Sequence, residues 1–173
     1  KVNNFICYSG PCQYNLRNDI LMSMTDQLLN LIYTEKVRED EGGTYGVYPM
    51  GQLVKYPVER AVLQIFFNTA PAKQEKLMKI IYAEADAFAK NGPDEASLNK
   101  VKEYMLKKHN EDLKENGYWL NSIDEYLYTG IDPVKDYEQI VNSITAKDVR
   151  QFANELLKQQ NQITVSMISP EKK

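Results

Sequence analysis

The chain has 173 residues, of which 43% are hydrophobic, and this length and composition suit one compact domain with a sizeable core. Its 21 basic and 24 acidic residues nearly balance, to a net charge of −3, and no block of basic residues stands out. Neither nucleic acid nor an anionic membrane surface is therefore an expected partner. No apolar run approaches the roughly 18 residues that a membrane span needs.

The start of the sequence and its two cysteines bear on domain organisation and on the redox state of the thiols. The sequence starts at Lys1 with neither an initiator Met nor a signal-peptide pattern. We therefore expect residues 1–173 to be a single domain from a longer polypeptide. Cys7 and Cys12 flank a short Gly-Pro turn and form either a disulfide or, as the favoured interpretation, two reduced thiols. A structural zinc site needs about four Cys or His ligands, which this pair does not supply.

The first half of the sequence predicts a strand, a long helix and a strand pair. A strand over Val2–Ser9 ends at Gly10-Pro11, and apolar residues at helical spacing predict a helix that runs from about Ile20 to Arg38. Gly42-Gly43 then suits the C-terminal cap of this helix, where a residue commonly adopts the left-handed backbone conformation. The β-rich residues 44–54 and the alternating residues 60–68 predict two paired strands.

The second half predicts several helices and a last strand. Helices are expected after Ala70-Pro71, after Asp94 as N-cap, over residues 118–129 with aromatic packing, from Asp132-Pro133, and after Thr145 through a capping box. Residues 162–169 alternate and predict a closing strand. Because the helices are grouped rather than interleaved with the strands, the expected class is α+β, with an antiparallel-rich sheet and helices on one face.

No complete catalytic set is visible in the sequence. There is no phosphate loop, no nucleophile elbow and no zinc motif of the H-x-x-E-H or H-E-x-x-H type. The single histidine, His109, lies in a charged helical run beside Lys107 and Lys108, so we expect an exposed surface residue. No metal ligand or cofactor site is predicted within this chain.

One stretch stands above this background, where the long helix meets the first strand of the pair. Arg38 is followed by acidic residues, by Gly42-Gly43 and, seven positions after Arg38, by Tyr45. A guanidinium and a phenolic hydroxyl brought to one side of a turn offer a set of hydrogen-bond donors. The alternative is structural: Arg38 pairs with its acidic neighbours at the helix end, and Tyr45 is an ordinary strand aromatic.

The stretch Arg38-Glu39-Asp40-Glu41-Gly42-Gly43-Thr44-Tyr45-Gly46-Val47 resembles the R-E-x-x-G-x-x-Y-G-V element of the insulinase family of inverted zinc metallopeptidases, which includes pitrilysin and insulin-degrading enzyme. The element lies in the C-terminal half of those enzymes. The order of helices and strands is similar as well, and so is the closing helix that begins at Ile144-Thr145. The resemblance thus covers most of the chain and implies the half-domain roll shared with mitochondrial processing peptidase.

The resemblance also implies a function. Arg38 would hold a substrate carbonyl, and Tyr45 would donate a hydrogen bond to the oxyanion near the scissile bond. Zinc would be bound by the N-terminal half of the same protein or by a companion subunit, which together with a peptide substrate are the expected partners. Bacterial relatives imply a periplasmic location. The second interpretation is a catalytically silent homologue that acts as a peptide-clamping or assembly subunit.

Overall fold

The computed structural model describes residues 1–39, 44, 46–159 and 161–168, without the side chains of residues 38 and 39. Within those residues one antiparallel sheet of four strands forms, in the order β2-β3-β1-β4. The strands are β1 (Val2–Pro11), β2 (Val47–Val54), β3 (Arg60–Thr69) and β4 (Gln162–Ile168). The predicted strands are confirmed, although β2 begins three residues later than the sequence indicated.

Helices occupy the chain between β1 and β2 and between β3 and β4, which confirms the α+β class. They are α1 (Leu16–Tyr33), α2 (Gln74–Asn91), α3 (Glu95–Asp112), α4 (Asn116–Thr129), α5 (Tyr137–Ser143) and α6 (Ala146–Lys158). A π-helical turn over Thr34–Glu39 continues α1, and a 3-10 turn over Pro71–Lys73 precedes α2. The helix predicted to reach Arg38 is therefore helical to that point, but its winding changes after Tyr33.

The sheet has one covered face and one open face. Ile6 and Tyr8 of β1 and Leu63 and Ile65 of β3 are buried against the helices. The alternate positions turn away from the helices and form what we call the open sheet face. Its central row, aligned by the strand register, is apolar and consists of Tyr48, Phe66, Phe5 and Val165. The sheet therefore buries one apolar face and leaves much of a second one in water.

The close contact between α1 and β2 fixes the helix layer at one side of the sheet. Asn15 caps α1 by accepting a hydrogen bond from the Asn18 amide at 2.8 Å. Gly51 of β2 lies against α1 so tightly that a Cβ there would be 2.9 Å from Met22 Cγ and 3.3 Å from the Met22 carbonyl oxygen. A residue with a Cβ at this position would have to displace the Met22 side chain and would press on the helix backbone.

Helix α3 turns its apolar side toward the core. Leu98, Val101 and Met105 are buried, and Asp94 caps the helix by accepting from the Ser97 amide at 2.8 Å. The prediction that His109 is exposed was wrong, because only 6% of its surface is accessible. Its ring stacks on Tyr137 at a centroid distance of 4.2 Å, so α5 covers it.

Helix α4 is oriented in the opposite way. The aromatic packing predicted for this segment is present at its two ends, where the rings of Tyr118 and Tyr128 meet other aromatic rings edge-on. Ser122 and Thr129 are its buried residues, and Glu125 is partly buried. Its large apolar side chains fall within an arc of about 120° on the other side of the helix. We call them the α4 stripe: Trp119, Leu120, Ile123, Tyr126 and Leu127, with 44% to 76% of each exposed.

Two further predictions of detail can be compared with the structure. The short helix expected from Asp132-Pro133 begins instead at Tyr137, because Asp132 accepts from the amides of residues 134 and 135 in a turn and Asp136 is left-handed, with φ of 62°. The capping box at Thr145 is present as predicted.

Cys7 and Cys12 are free thiols, which confirms the favoured interpretation of the pair.

Candidate functional site

Of the two predicted site residues, the structure describes only the backbone of one. The backbone of Arg38 belongs to the π-helical turn after α1, whereas its side chain lies outside the described residues. Tyr45 and the predicted Gly42-Gly43 helix end lie outside them as well. The pairing of the guanidinium with the hydroxyl therefore stays a prediction.

Both flanks of this stretch are attached to the folded body. Val37, one residue before Arg38, is completely buried in the core. On the other flank the Thr44 side chain bridges to Gly46, accepting from its amide at 3.2 Å and donating to its carbonyl at 3.0 Å. Val47 then enters β2 opposite Phe67 and is buried. The candidate residues thus belong to a short connection from α1 to the edge strand β2.

A groove of about 720 Å³ lies beside β2, and α1 and α3 contribute to its walls. Its lining is mostly apolar and includes exposed aromatic side chains. The lining residues are Asp26, Gln27, Asn30, Leu31, Tyr48, Pro49, Met50, Phe66, Lys100, Val101 and Tyr104. The sequence analysis did not single out this groove. The available signal was large apolar residues at the outward positions of β2 and β3, Tyr48, Met50 and Phe66, where water-facing strands usually carry polar side chains.

Asp26 is the acidic group in this groove, and its environment is unfavourable for charge. Burial raises the pKa of Asp26 to about 6, and the nearby carboxyl of Asp19 adds to the increase. A hydrogen bond at 3.1 Å from the Gly51 amide to Asp26 Oδ2 acts in the opposite direction. Asp26 thus couples α1 to β2 and titrates closer to neutral pH than an ordinary aspartate.

The same hydrogen bond affects the free edge of β2. Amide donors alternate in direction along a strand, and the Gly51 amide points away from β3 toward the edge. Its outward neighbour two residues earlier is Pro49, which has no amide hydrogen. Two central donors of this edge are therefore missing or already used. A peptide would be held here mainly through its side chains rather than by addition of a full strand.

Metal binding finds no support among the described residues. They contain no group of three or more His, Cys, Asp or Glu side chains placed to hold an ion. His109, the only histidine in the sequence, stacks between aromatic rings, and its Nδ1 lies 3.2 Å from the Tyr118 hydroxyl. The described residues therefore do not supply the three protein ligands around an open position that a catalytic zinc needs.

The family model for the peptidase M16 inactive domain matches residues 1–105, which include Arg38, Tyr45 and every lining residue of the groove. The chain belongs to this family. The match confirms the resemblance to the insulinase family and identifies the chain as the part of M16 peptidases described as inactive. A comparison with curated protein sequences gave no match.

Solved structures share the fold at low identity. The periplasmic protease PqqL from Escherichia coli is 14% identical with a TM-score of 0.85, over 98% of this chain and 19% of PqqL. A protease from Helicobacter pylori is 19% identical with a TM-score of 0.81, and a peptidase M16 inactive domain from Pseudomonas fluorescens is 18% identical with a TM-score of 0.77. Each of these two matches covers 95% of this chain and 40% of the other. The chain thus spans between a fifth and two fifths of these proteins.

No described helix has both the length and the apolar composition required to cross a lipid bilayer.

Proposed function

We propose that this chain is the non-catalytic, peptide-binding domain of a zinc metallopeptidase and that it closes over a zinc-bearing partner to form the reaction chamber. The partner would be the N-terminal half of the same polypeptide or a companion subunit. One observation carries the proposal: the family match spans residues 1–105 and so contains both Arg38 and Tyr45. The lack of a cluster of metal ligands in the described residues agrees with a zinc site on another part of the assembly.

In this proposal Arg38 and Tyr45 contact the substrate near the scissile bond. The Arg38 guanidinium holds a substrate carbonyl, and the Tyr45 hydroxyl donates to the oxyanion of the tetrahedral intermediate. Donors that meet developing negative charge in a cavity with little water lower a barrier by about 3 kcal/mol each. Zinc bound by the partner would supply the activated water.

The groove beside β2 would receive side chains of an extended, unstructured peptide. Met50 and Tyr104 are more than half exposed and give it an apolar surface, while Lys100 and Asp26 add charge of both signs. Such a lining favours peptides with large apolar side chains over acidic or basic tracts. Because a related fold belongs to a periplasmic protease, we propose the periplasm as the working compartment.

The test is cleavage of an unstructured peptide by this domain together with its zinc-bearing half, for the wild type and for Tyr45→Phe. We expect kcat to fall by roughly a hundredfold with little change in KM, because only the transition state carries the oxyanion. Tyr126→Phe is the matched control, since it removes a hydroxyl from an exposed tyrosine of α4 that lies outside the groove, and it should leave kcat unchanged.

Equal rates for the wild type and Tyr45→Phe would contradict the oxyanion role. Complete absence of cleavage by the wild-type assembly, with peptide binding retained, would replace the proposal with the silent homologue that clamps peptides. In that case Tyr104→Ala should weaken peptide binding, whereas Tyr45→Phe should not.

A further inference from the structure

A second cleft, of about 340 Å³, lies between α4 and the turn that joins β2 to β3. One wall is the side of α4 that carries Asp124 and Tyr128, which are about one helical turn apart. The opposite wall is formed by Tyr14, which precedes α1, and by residues 53–56. The cleft shares no lining residue with the groove beside β2. It is therefore a separate feature of the molecule.

Lys55 shows that this cleft holds positive charge beside aromatic rings. Its Nζ lies 5.9 Å from the ring centroid of Tyr14 and 5.7 Å from that of Tyr56. The same ammonium donates a hydrogen bond to the carbonyl of Thr129, at the end of α4. A cation over the face of a tyrosine is attracted by the negative face of the ring. The chain thus already stabilises one cation of its own here.

Negative charge nevertheless exceeds positive charge in the cleft. Two carboxylates line it, Asp124 and Glu125, against the single ammonium of Lys55. Glu125 accepts from the Tyr14 hydroxyl at 2.9 Å, whereas Asp124 is exposed and has no partner among the residues that the structure describes. The negative field extends to α1, where burial raises the pKa of Asp19 to about 6 and the Glu125 charge adds to the increase. A cationic ligand is therefore favoured.

The aromatic surface beside Asp124 suits a planar cation better than a compact one. The rings of Tyr56 and Tyr128 meet edge-on at a centroid distance of 5.1 Å, and 49% and 63% of these residues are exposed. A guanidinium stacks on an aromatic ring and donates two parallel hydrogen bonds to one carboxylate. An ammonium is a strongly hydrated point charge, which a half-open cleft strips of water at a greater cost.

We propose that this cleft binds the guanidinium group of an arginine side chain, with Asp124 accepting its hydrogen bonds and the rings of Tyr56 and Tyr128 beside it. Bound guanidinium and Lys55 then balance the two carboxylates. The volume is at the lower end of the roughly 300–1,000 Å³ of small-ligand pockets, which fits one side chain. That the arginine belongs to a peptide rests on the proposed function, and the cleft would add a charge-selective contact to the apolar groove.

The first experiment titrates the 173-residue chain with acetyl-arginine methylamide and follows the backbone amides by NMR. We expect saturable binding with a Kd on the order of 1 mM and the largest shifts at residues 53–56 and 124–129. Acetyl-citrulline methylamide has nearly the same shape without the charge and should bind at least roughly tenfold more weakly. Acetyl-lysine methylamide has the charge without the planar fork and should bind at least roughly threefold more weakly.

Two substitutions test the assigned contacts. Asp124→Asn should raise the Kd of the arginine probe roughly fivefold, because it removes the charge and keeps the shape. Asp86→Asn is the matched control, since it makes the same change at an exposed position of α2 outside the cleft. Tyr128→Leu should raise the Kd roughly threefold through loss of the ring, whereas Tyr126→Leu, on the same helix outside the cleft, should not. Circular dichroism melts of each variant would show that it is folded.

The second experiment asks whether the arginine belongs to a substrate. For this domain together with its zinc-bearing half, an unstructured peptide with one arginine should have a lower KM than the same peptide with citrulline, at equal kcat. Asp124→Asn should abolish that difference. The probe titration needs neither zinc nor cleavage, so failure of the peptidase role leaves it intact. Failure of the probe to bind leaves the Tyr45→Phe test intact.

Three results would overturn the proposal. Equal affinity for the arginine and citrulline probes would mean that charge is not recognised, and equal affinity for the lysine probe would remove the selection of guanidinium. Equal weakening by Asp86→Asn and Asp124→Asn would indicate general attraction to an acidic protein. Equal KM values for the two peptides would separate the cleft from substrate binding.

Discussion

Helices α3 and α4 follow each other along the chain and present opposite faces to the core. In α3 the apolar residues Leu98, Val101 and Met105 point inward and lysines point outward. In α4 the inward residues are Ser122 and Thr129, while the apolar stripe faces water. The comparison teaches that helical periodicity locates an apolar face but does not determine what that face contacts.

The first prediction applies the same substitution to both helices and has the largest expected effect. Leu98→Ala should lower the free energy of unfolding by about 3 kcal/mol, because it opens a cavity in a packed core. Leu120→Ala, at a position 69% exposed, should change it by less than about 0.5 kcal/mol. Urea denaturation at a concentration where the chain is monomeric measures both values.

A large loss from Leu120→Ala in the monomer would mean that the stripe packs within the chain, and the distinction between the two helices would then fail. The monomer requirement matters because a dimer would add its own stabilisation to the measured value.

The second prediction compares two carboxylates. Asp26 of α1 is largely buried, whereas Asp124 of α4 is exposed. Because the folded-state pKa of Asp26 is raised to about 6 from 3.8, the folded protein retains the proton more tightly than the unfolded chain. The contribution of Asp26 to the free energy of unfolding is fully present below pH 3.8 and is lost as the pH rises through 6. The loss is about 3 kcal/mol.

Asp26→Asn removes the charge and keeps an oxygen that accepts from the Gly51 amide. We expect the variant to be more stable than the wild type above pH 7 by about 2 kcal/mol and to show a flatter stability profile between pH 4 and 6. Asp124→Asn on the exposed side of α4 should leave the profile unchanged. A wild-type profile that rises with pH across this window would contradict the assignment.

The third prediction concerns the attachment of α4 and has the smallest expected effect. Tyr14→Phe removes the hydrogen bond to Glu125 and should cost about 1 kcal/mol. The loss should be local, so amide hydrogen exchange should accelerate in α4 while α3 keeps its protection. Tyr104→Phe, which removes a hydroxyl from an exposed tyrosine of α3, is the matched control. Equal acceleration in both helices would show that they open as one unit.

Much of the fold could be predicted from the sequence, because strand alternation, helical spacing and caps are local signals. The Thr145 capping box and the Asp94 cap occur where the pattern placed them. The orientation of α4 could not be predicted, since it depends on long-range contacts from Tyr14 and Lys55. His109 was recoverable: it follows Met105 by four residues and so continues the buried side of α3.

The candidate site was predicted only in part. The match of residues 1–105 confirms the family that the Arg38 to Val47 stretch indicated, while the roles of Arg38 and Tyr45 stay predictions. The groove beside β2 was not predicted, because residues from α1, β2, β3 and α3 converge there only in the folded chain. Three-dimensional convergence of this kind leaves no short motif in a sequence.

The two edges of the sheet differ in a way that limits assembly. Pro49 and the hydrogen bond between Asp26 and Gly51 occupy the middle of the β2 edge, whereas β4 has neither a proline nor a charged residue. Of the two described edges, β4 is therefore the one that can pair more readily with a strand of another molecule, whereas β2 resists such pairing at its centre. Growth of a continuous sheet needs both edges, so the β2 edge limits it.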